Sequence, residues 1–229
     1  MKKYTTAIFD LGLTLIYSPR VENFIKISKK FNMEPDEDEV KRAFTFSDSY
    51  FMKNRPGVLG RQPKEFYMEF LAVMFAYLHL EPNIKEFYDA LFREYPPRKE
   101  WRLYDETIPF LEKLKKSGMK IGLLSNWDLG ARDILDKLGL TKYFDSIVIS
   151  SEIEIEKPAK GAFLHSMNEL KVSPEETFYV GDNYFDDVMG GNKVGLKVFL
   201  INRTEKQSPH KEGDYIEINT LMEIFNVLN

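Results

Sequence analysis

Four short stretches of this 229-residue chain end in side chains able to handle a phosphoryl group. Asp10 closes an apolar run and is followed by Leu11, Gly12, Leu13 and Thr14. Ser125 and Asn126 close a second run, Met119 to Ser125. Lys157-Pro158 opens the segment after a third, Ser146 to Ser150. A fourth run, Thr177 to Gly181, leads into Asp182-Asn183-Tyr184-Phe185-Asp186-Asp187. A hard dication such as Mg2+ prefers carboxylate oxygens and water, and it bridges to phosphate oxygens. Ser125, Asn126, Lys157 and the loop amides after Asp10 suit a phosphoryl dianion, and Asp10 is placed to attack phosphorus and form an aspartyl-phosphate. Taken singly, these residues read as a turn former, an ordinary turn, a solvated charge and an exposed acidic loop. Clustered carboxylates, however, repel one another unless a cation neutralises them, and the order of all four favours a joint reading.

These residues need elements that gather them. The four runs, with Lys197 to Ile201 as a fifth, are short, continuously apolar and rich in Ile, Val, Leu or Phe. Strands covered on both faces read this way. Tyr4 to Phe9 is the first of them. Between the runs lie helical patterns. Asp105 is the expected cap of a helix carrying Ile108, Leu111 and Leu114, with Gly118 at its end. Ser173-Pro174-Glu175-Glu176 reads as an N-cap, a Pro at the first helical position and an acidic first turn. Alternating strands and helices predict a parallel sheet with right-handed crossovers, and ligands of such sheets sit at the carboxyl ends of strands.

From about Ser18 to Tyr104 the pattern changes to successive helices: Val21 to Phe31, Asp38 to Lys53, Pro63 to Leu80 and Asn83 to Tyr95. Glu34-Pro35, Arg55-Pro56-Gly57, Glu81-Pro82 and Pro96-Pro97 separate them. The expectation is an α/β fold: a Rossmann-like parallel-sheet core at residues 1–16 and 105–229, with an inserted α-helical domain at 17–104.

Composition narrows the chemistry. With no Cys, thiol nucleophiles, disulfides and zinc–thiolate sites are excluded, and with only three His no multi-histidine centre is expected. Thirty-two Lys and Arg against 36 Asp and Glu give a net charge of −4, so no nucleic-acid partner is expected. No apolar run is long enough to span a membrane. Lys2-Lys3 precedes an apolar stretch that Asp10 interrupts almost at once, unlike a secretory leader, and a cytoplasmic location is expected.

The chain resembles the haloacid dehalogenase-like superfamily over residues 1–16 and 105–229. Four motifs stand in that family's order: Ile8-Phe9-Asp10-Leu11-Gly12-Leu13-Thr14-Leu15, Leu124-Ser125-Asn126, Lys157-Pro158, and Val180-Gly181-Asp182 with Asp186-Asp187-Val188 and Gly190-Gly191. The helical insert falls where the family places a C1 cap. The resemblance implies Asp10 as nucleophile and Mg2+ held by Asp10, the Gly12 carbonyl, Asp182 and Asp187 (or Asp186). Ser125, Asn126 and Lys157 would bind the phosphoryl group, Thr14 would position the first loop, and the cap would close over a small-molecule substrate and exclude water.

One position departs from the family's phosphatases, which carry a second Asp two residues after the nucleophile as general acid. Here it is Gly12, followed by Leu13 where Gly is usual. General acid–base help is worth about 10²–10⁴-fold. Three readings follow. The first is a Mg2+-dependent phosphatase acting on good leaving groups or borrowing an acid from Glu22, Asp48, Tyr50 or His79. The second is a halide- or phosphonate-cleaving relative. Halide displacement in this family needs no metal, which the retained acidic motif argues against, and phosphonate cleavage would need a cap lysine such as Lys53 or Lys64. The third is a weakened enzyme whose pocket binds a ligand. Hydrolysis of a small phosphorylated metabolite is the leading expectation. Phe44, Phe46, Tyr50, Phe51, Phe66, Tyr67 and Phe70 suit either a pocket or a helix-bundle core. Met68, Met74 and Phe75 are candidates for a dimer face, so the assembly expected is a monomer or a homodimer through the cap.

Overall fold

Tertiary burial decides which of these runs become strands. In the computed structural model, which describes residues 4–55, 57–61, 64–96, 99–203 and 212–228, six strands form one sheet. They are β1 (Thr6–Phe9), β2 (Lys120–Ser125), β3 (Ser146–Ile149), β4 (Thr177–Gly181), β5 (Lys197–Ile201) and β6 (Tyr215–Ile218). Every pairing is parallel, in the order β3-β2-β1-β4-β5-β6. β1 and β4 are wholly buried, as continuous apolar runs in a sheet covered on both faces must be.

Helices supply that cover. On one face Ile8, Leu124, Tyr179 and Val198 pack with Ala162, Phe163 and Met167 of helix Lys160–Leu170. Elsewhere Phe9 of β1 meets Phe110 of helix Thr107–Lys116 edge to face, with ring centroids 5.9 Å apart. Each fully buried side chain of this size stabilises by about 1.5–3 kcal/mol.

Several local expectations are corrected. β6 was not anticipated. Ser150 belongs to a short helix, Ser150–Ile153, and not to β3. Asp105 caps nothing: the helix begins at Thr107, whose hydroxyl donates to the Leu15 carbonyl at 2.7 Å. Ser173 is an N-cap with Pro174 at the first helical position and Glu175 and Glu176 in the first turn, as expected, but the helix is a single 3-10 turn, Pro174–Glu176, which leads straight into β4.

The chain divides into two compact units, Met1–Tyr17 with Leu103–Asn229, and Ser18–Arg102. The second is helical: Arg20–Lys30, Glu37–Asn54, Val58–Arg61, Lys64–Leu78 and Ile84–Glu94. The four-residue helix Val58–Arg61 was not expected. Asp36 caps its helix by accepting from the Asp38 and Glu39 amides at 3.0 Å, and Asn83 accepts from Glu86 at 3.2 Å. Phe44, Phe51, Phe66 and Phe70 are core residues of this unit, whereas Phe46 and Tyr50 are exposed. Met74 and Phe75 are buried in the same core, so neither offers a dimer face. Pro56, Pro63, Pro97 and the Lys64 side chain lie outside the described residues.

Candidate active site

Strand order places the chemistry. In a sheet ordered β3-β2-β1-β4-β5-β6, connections diverge between β1 and β4, and a crevice opens beyond the carboxyl ends of those neighbours. Phe9 is in register with Val180 on one side and with Leu123 on the other. Asp10, immediately after Phe9, donates its amide to the Val180 carbonyl at 2.9 Å. Asp10, Ser125 and Asp182 therefore leave adjacent strands at one rim.

The side chains converge on Asp10. Its Oδ1 accepts from Ser125 Oγ at 3.0 Å and from Lys157 Nζ at 2.8 Å. The other two protons of the Lys157 ammonium meet Asp187 Oδ1 at 2.6 Å and the Tyr179 hydroxyl at 2.9 Å. Tyr179 in turn directs its own proton toward the Leu124 carbonyl and Asp187 Oδ1, each at 3.1 Å. Lys157, Tyr179 and Asp187 are all buried.

Burial sets the electrostatics. It pushes the Asp10 carboxyl above its ordinary value, with Lys157 opposing and Asp187 adding to the rise. Burial alone would lower Lys157, but Asp10 and Asp187 overcome it and hold the ammonium well above its usual range. The Tyr179 phenol is pushed well up by burial and then by Asp187, so it stays protonated. Asp186 rises to about 7, first from burial and then from Asp187.

The acidic loop is shaped by Asn183 and Gly181. Asn183 Oδ1 accepts from the Phe185 and Asp186 amides at 2.9 and 3.0 Å, starting one π-helical turn, Tyr184–Val188. Its own amide donates to Asp187 Oδ2 at 2.9 Å. The Asp187 carboxylate is folded back so closely on β4 that a Cβ at residue 181 would lie 2.1 Å from Oδ2, and only Gly fits.

Carboxylate oxygens of Asp10, Asp182 and Asp187 lie within 4.8 Å of one another. Two of these three carboxylates, Asp10 and Asp187, share the one Lys157 ammonium. An all-oxygen set with surplus negative charge is what a hard dication takes, so the residues fit such an ion. Thr14 is buried; its hydroxyl donates to Asp182 Oδ1 at 3.4 Å, and its carbonyl accepts from Arg203 at 2.9 Å. Arg203 also pairs with Glu106 at 2.6 Å and stacks 3.5 Å from the Tyr104 ring centroid.

Residues 7–201 match the family model described as haloacid dehalogenase-like hydrolase. The chain belongs to that family. Among curated members of the haloacid dehalogenase-like hydrolases, a glyceraldehyde 3-phosphate phosphatase of Methanopyrus kandleri is 34% identical over 55% of this chain and 56% of its own. A phosphoserine phosphatase of Thermus thermophilus is 32% identical over 62% of this chain and 56% of its own. The chain spans about half the length of the curated relatives it matches. Of solved structures, a phosphatase of this family from Thermococcus onnurineus superposes with a TM-score of 0.63 at 26% identity, covering 98% of each chain. A 2-haloacid dehalogenase from Pseudomonas syringae gives 0.60 at 21% over the same share, a likeness of fold.

The sequence-selected residues separate into two kinds. Asp10, Ser125, Lys157, Asp182 and Asp187 meet in one cluster, with Thr14 behind Asp182. Asn126, expected to bind the phosphoryl group, spends its amide elsewhere: Nδ2 donates to the Lys157 carbonyl at 2.9 Å, and Oδ1 accepts the Lys157 amide at 2.8 Å. It holds the lysine's backbone. Leu13 takes a left-handed conformation, φ 57°, which explains why Gly is usual there and costs about 1 kcal/mol. Of the acid candidates, Asp48 is already paired in both oxygens with Arg20. Glu22 lies 3.8 Å from Arg102, and Tyr50 is exposed. Tyr179 was missed because, inside an apolar strand, it read as core.

Proposed function

We propose that this protein is a Mg2+-dependent phosphohydrolase of small phosphorylated compounds, working through an aspartyl-phosphate on Asp10. The observation that carries this reading is the Asp10 carboxylate itself. It is fixed by Ser125 Oγ and Lys157 Nζ and stands in one oxygen cluster with Asp182 and Asp187. Asp10, the Gly12 carbonyl, Asp182 and Asp187 would hold Mg2+, which when bound supplies neutralisation of phosphoryl charge. Lys157, kept protonated by its carboxylate neighbours, adds a positive charge that is already in place before the reaction begins. Asp10, relieved of that charge competition as a phosphoryl dianion engages the lysine, serves as the nucleophile. The curated relatives named as phosphatases support the reaction class.

Phosphate release from acetyl phosphate, p-nitrophenyl phosphate, glycerol phosphate and a phosphonate, each with Mg2+ or with EDTA, tests this. Release that needs Mg2+ and disappears in Asp10→Asn, with the thermal transition retained, is the expected result. Turnover indifferent to EDTA or to Asp10→Asn would overturn it.

A further inference from the structure

The loop that carries the nucleophile has no acid of its own. Leu11, Gly12 and Leu13 follow Asp10, and none can give up a proton. Room beside Gly12 is also limited. A Cβ built on Gly12 would lie 3.1 Å from Cζ3 of Trp127 and 3.7 Å from its Cη2, so the indole edge stands close beside this position and a side chain there must displace it. Trp127 is only 8% exposed. Its amide donates to Ser150 Oγ at 3.1 Å, and its carbonyl accepts from the Ser151 amide at 3.3 Å. The Trp127 backbone is thus tied to the short helix after β3, one residue beyond the Asn126 amide that grips Lys157. Neither partner of Asp10 replaces the missing acid: Ser125 has only a hydroxyl, and all three Lys157 protons are engaged with Asp10, Asp187 and Tyr179.

We propose that Trp127 is a specificity-determining residue. Its indole walls off the Gly12 side of the nucleophile and restricts turnover to phosphoryl compounds whose leaving group departs as a stabilised anion, a carboxylate or a phenolate. This rests on the phosphohydrolase reading above and names its substrate class. The balance needs no acid. An Asp10 oxygen forms a bond to phosphorus while the bond to the leaving oxygen breaks, and that oxygen keeps the electron pair. Water then bonds to the same phosphorus, Asp10 recovers its pair, and both protons of the water end on the released phosphate. An alkoxide leaving without a proton is far too basic to follow this route at a useful rate.

The test is a leaving-group series with Mg2+ (acetyl phosphate, p-nitrophenyl phosphate, phenyl phosphate and glycerol phosphate) on wild type, Trp127→Ala, Gly12→Asp and the double variant. In wild type, kcat/KM falls steeply as the leaving group becomes more basic. Gly12→Asp alone gains nothing on glycerol phosphate, because its side chain meets the ring. The double variant gains at least about tenfold on glycerol phosphate over either single change, within the range a placed general acid supplies. A flat series in wild type, or Gly12→Asp alone matching the double variant, overturns the wall while leaving the phosphohydrolase reading intact. No turnover of any substrate overturns both.

A measurement independent of activity guards against a double variant that fails to fold. In a Trp101→Phe background Trp127 is the sole tryptophan. Gly12→Ala should shift its emission to the red by pushing the ring outward, and an unchanged spectrum would remove the contact on which the proposal stands.

Discussion

The Tyr179 hydroxyl sits 2.9 Å from Lys157 Nζ and 3.1 Å from the Leu124 carbonyl, which joins the buried ammonium to the strand that ends at Ser125. In Tyr179→Phe one ammonium proton and one carbonyl lose a partner where water cannot replace it. An unsatisfied buried group costs about 1–3 kcal/mol. Chemical denaturation should show a loss of that size, accompanied by a lower kcat as Lys157 loses one of its three anchors. Wild-type stability in this variant would mean the hydroxyl is idle.

Acidic pH should favour the metal-free protein. Asp186 is buried, its Oδ1 has no hydrogen-bond partner among the described residues, and its carboxyl is raised to about 7. A raised folded value means the native state binds the proton more tightly than the unfolded chain does. That contribution is complete below about pH 4, the ordinary carboxylate range, and is lost as pH rises through 7. Asp10, also raised by burial, acts in the same sense. Glu152, held low by its Arg132 hydrogen bond, acts oppositely but only in the more acidic range. In EDTA, stability should therefore fall between about pH 4 and pH 7, by up to about 1.4 kcal/mol per pH unit for one group. Urea midpoints across that range check it, and Asp186→Asn should flatten the slope. A midpoint rising with pH would contradict the assignment.

Gly181→Ala tests the fold-back of Asp187. The added methyl would lie 2.1 Å from Asp187 Oδ2, so the carboxylate must leave Lys157, Tyr179 and the Asn183 amide. Overpacking of this kind costs about 1–3 kcal/mol. Activity should fall with stability, and Mg2+ should protect less against thermal unfolding than in wild type. Normal metal protection in this variant would show that Asp187 keeps its place by other means.

The cluster around Asp10 was legible because each of its parts is local. An apolar run ending in Asp10, Ser125 or Gly181-Asp182 marks both a strand and the rim where it stops. What escaped the sequence depends on distant partners. Tyr179 reads as core until β4 sets it beneath Lys157, and Trp127 has no periodic signal because its role comes from touching Gly12. The Asn126 side chain gives no local hint of its partner, the Lys157 backbone, which lies 31 residues along the chain. β6 escaped for a different reason. Tyr215-Ile216-Glu217-Ile218 is an edge strand with only Ile218 fully buried, so it lacks the unbroken apolar run that betrays an interior one.

The two hydrogen bonds exchanged by the Asn126 side chain and the Lys157 backbone have a kinetic meaning. They fasten the turn bearing the hydroxyl to the turn bearing the cation, much as a pair of ladder bonds fastens two strands. In the reaction proposed above, an incoming phosphoryl anion would find both donors prealigned, with little of its binding energy spent on ordering them.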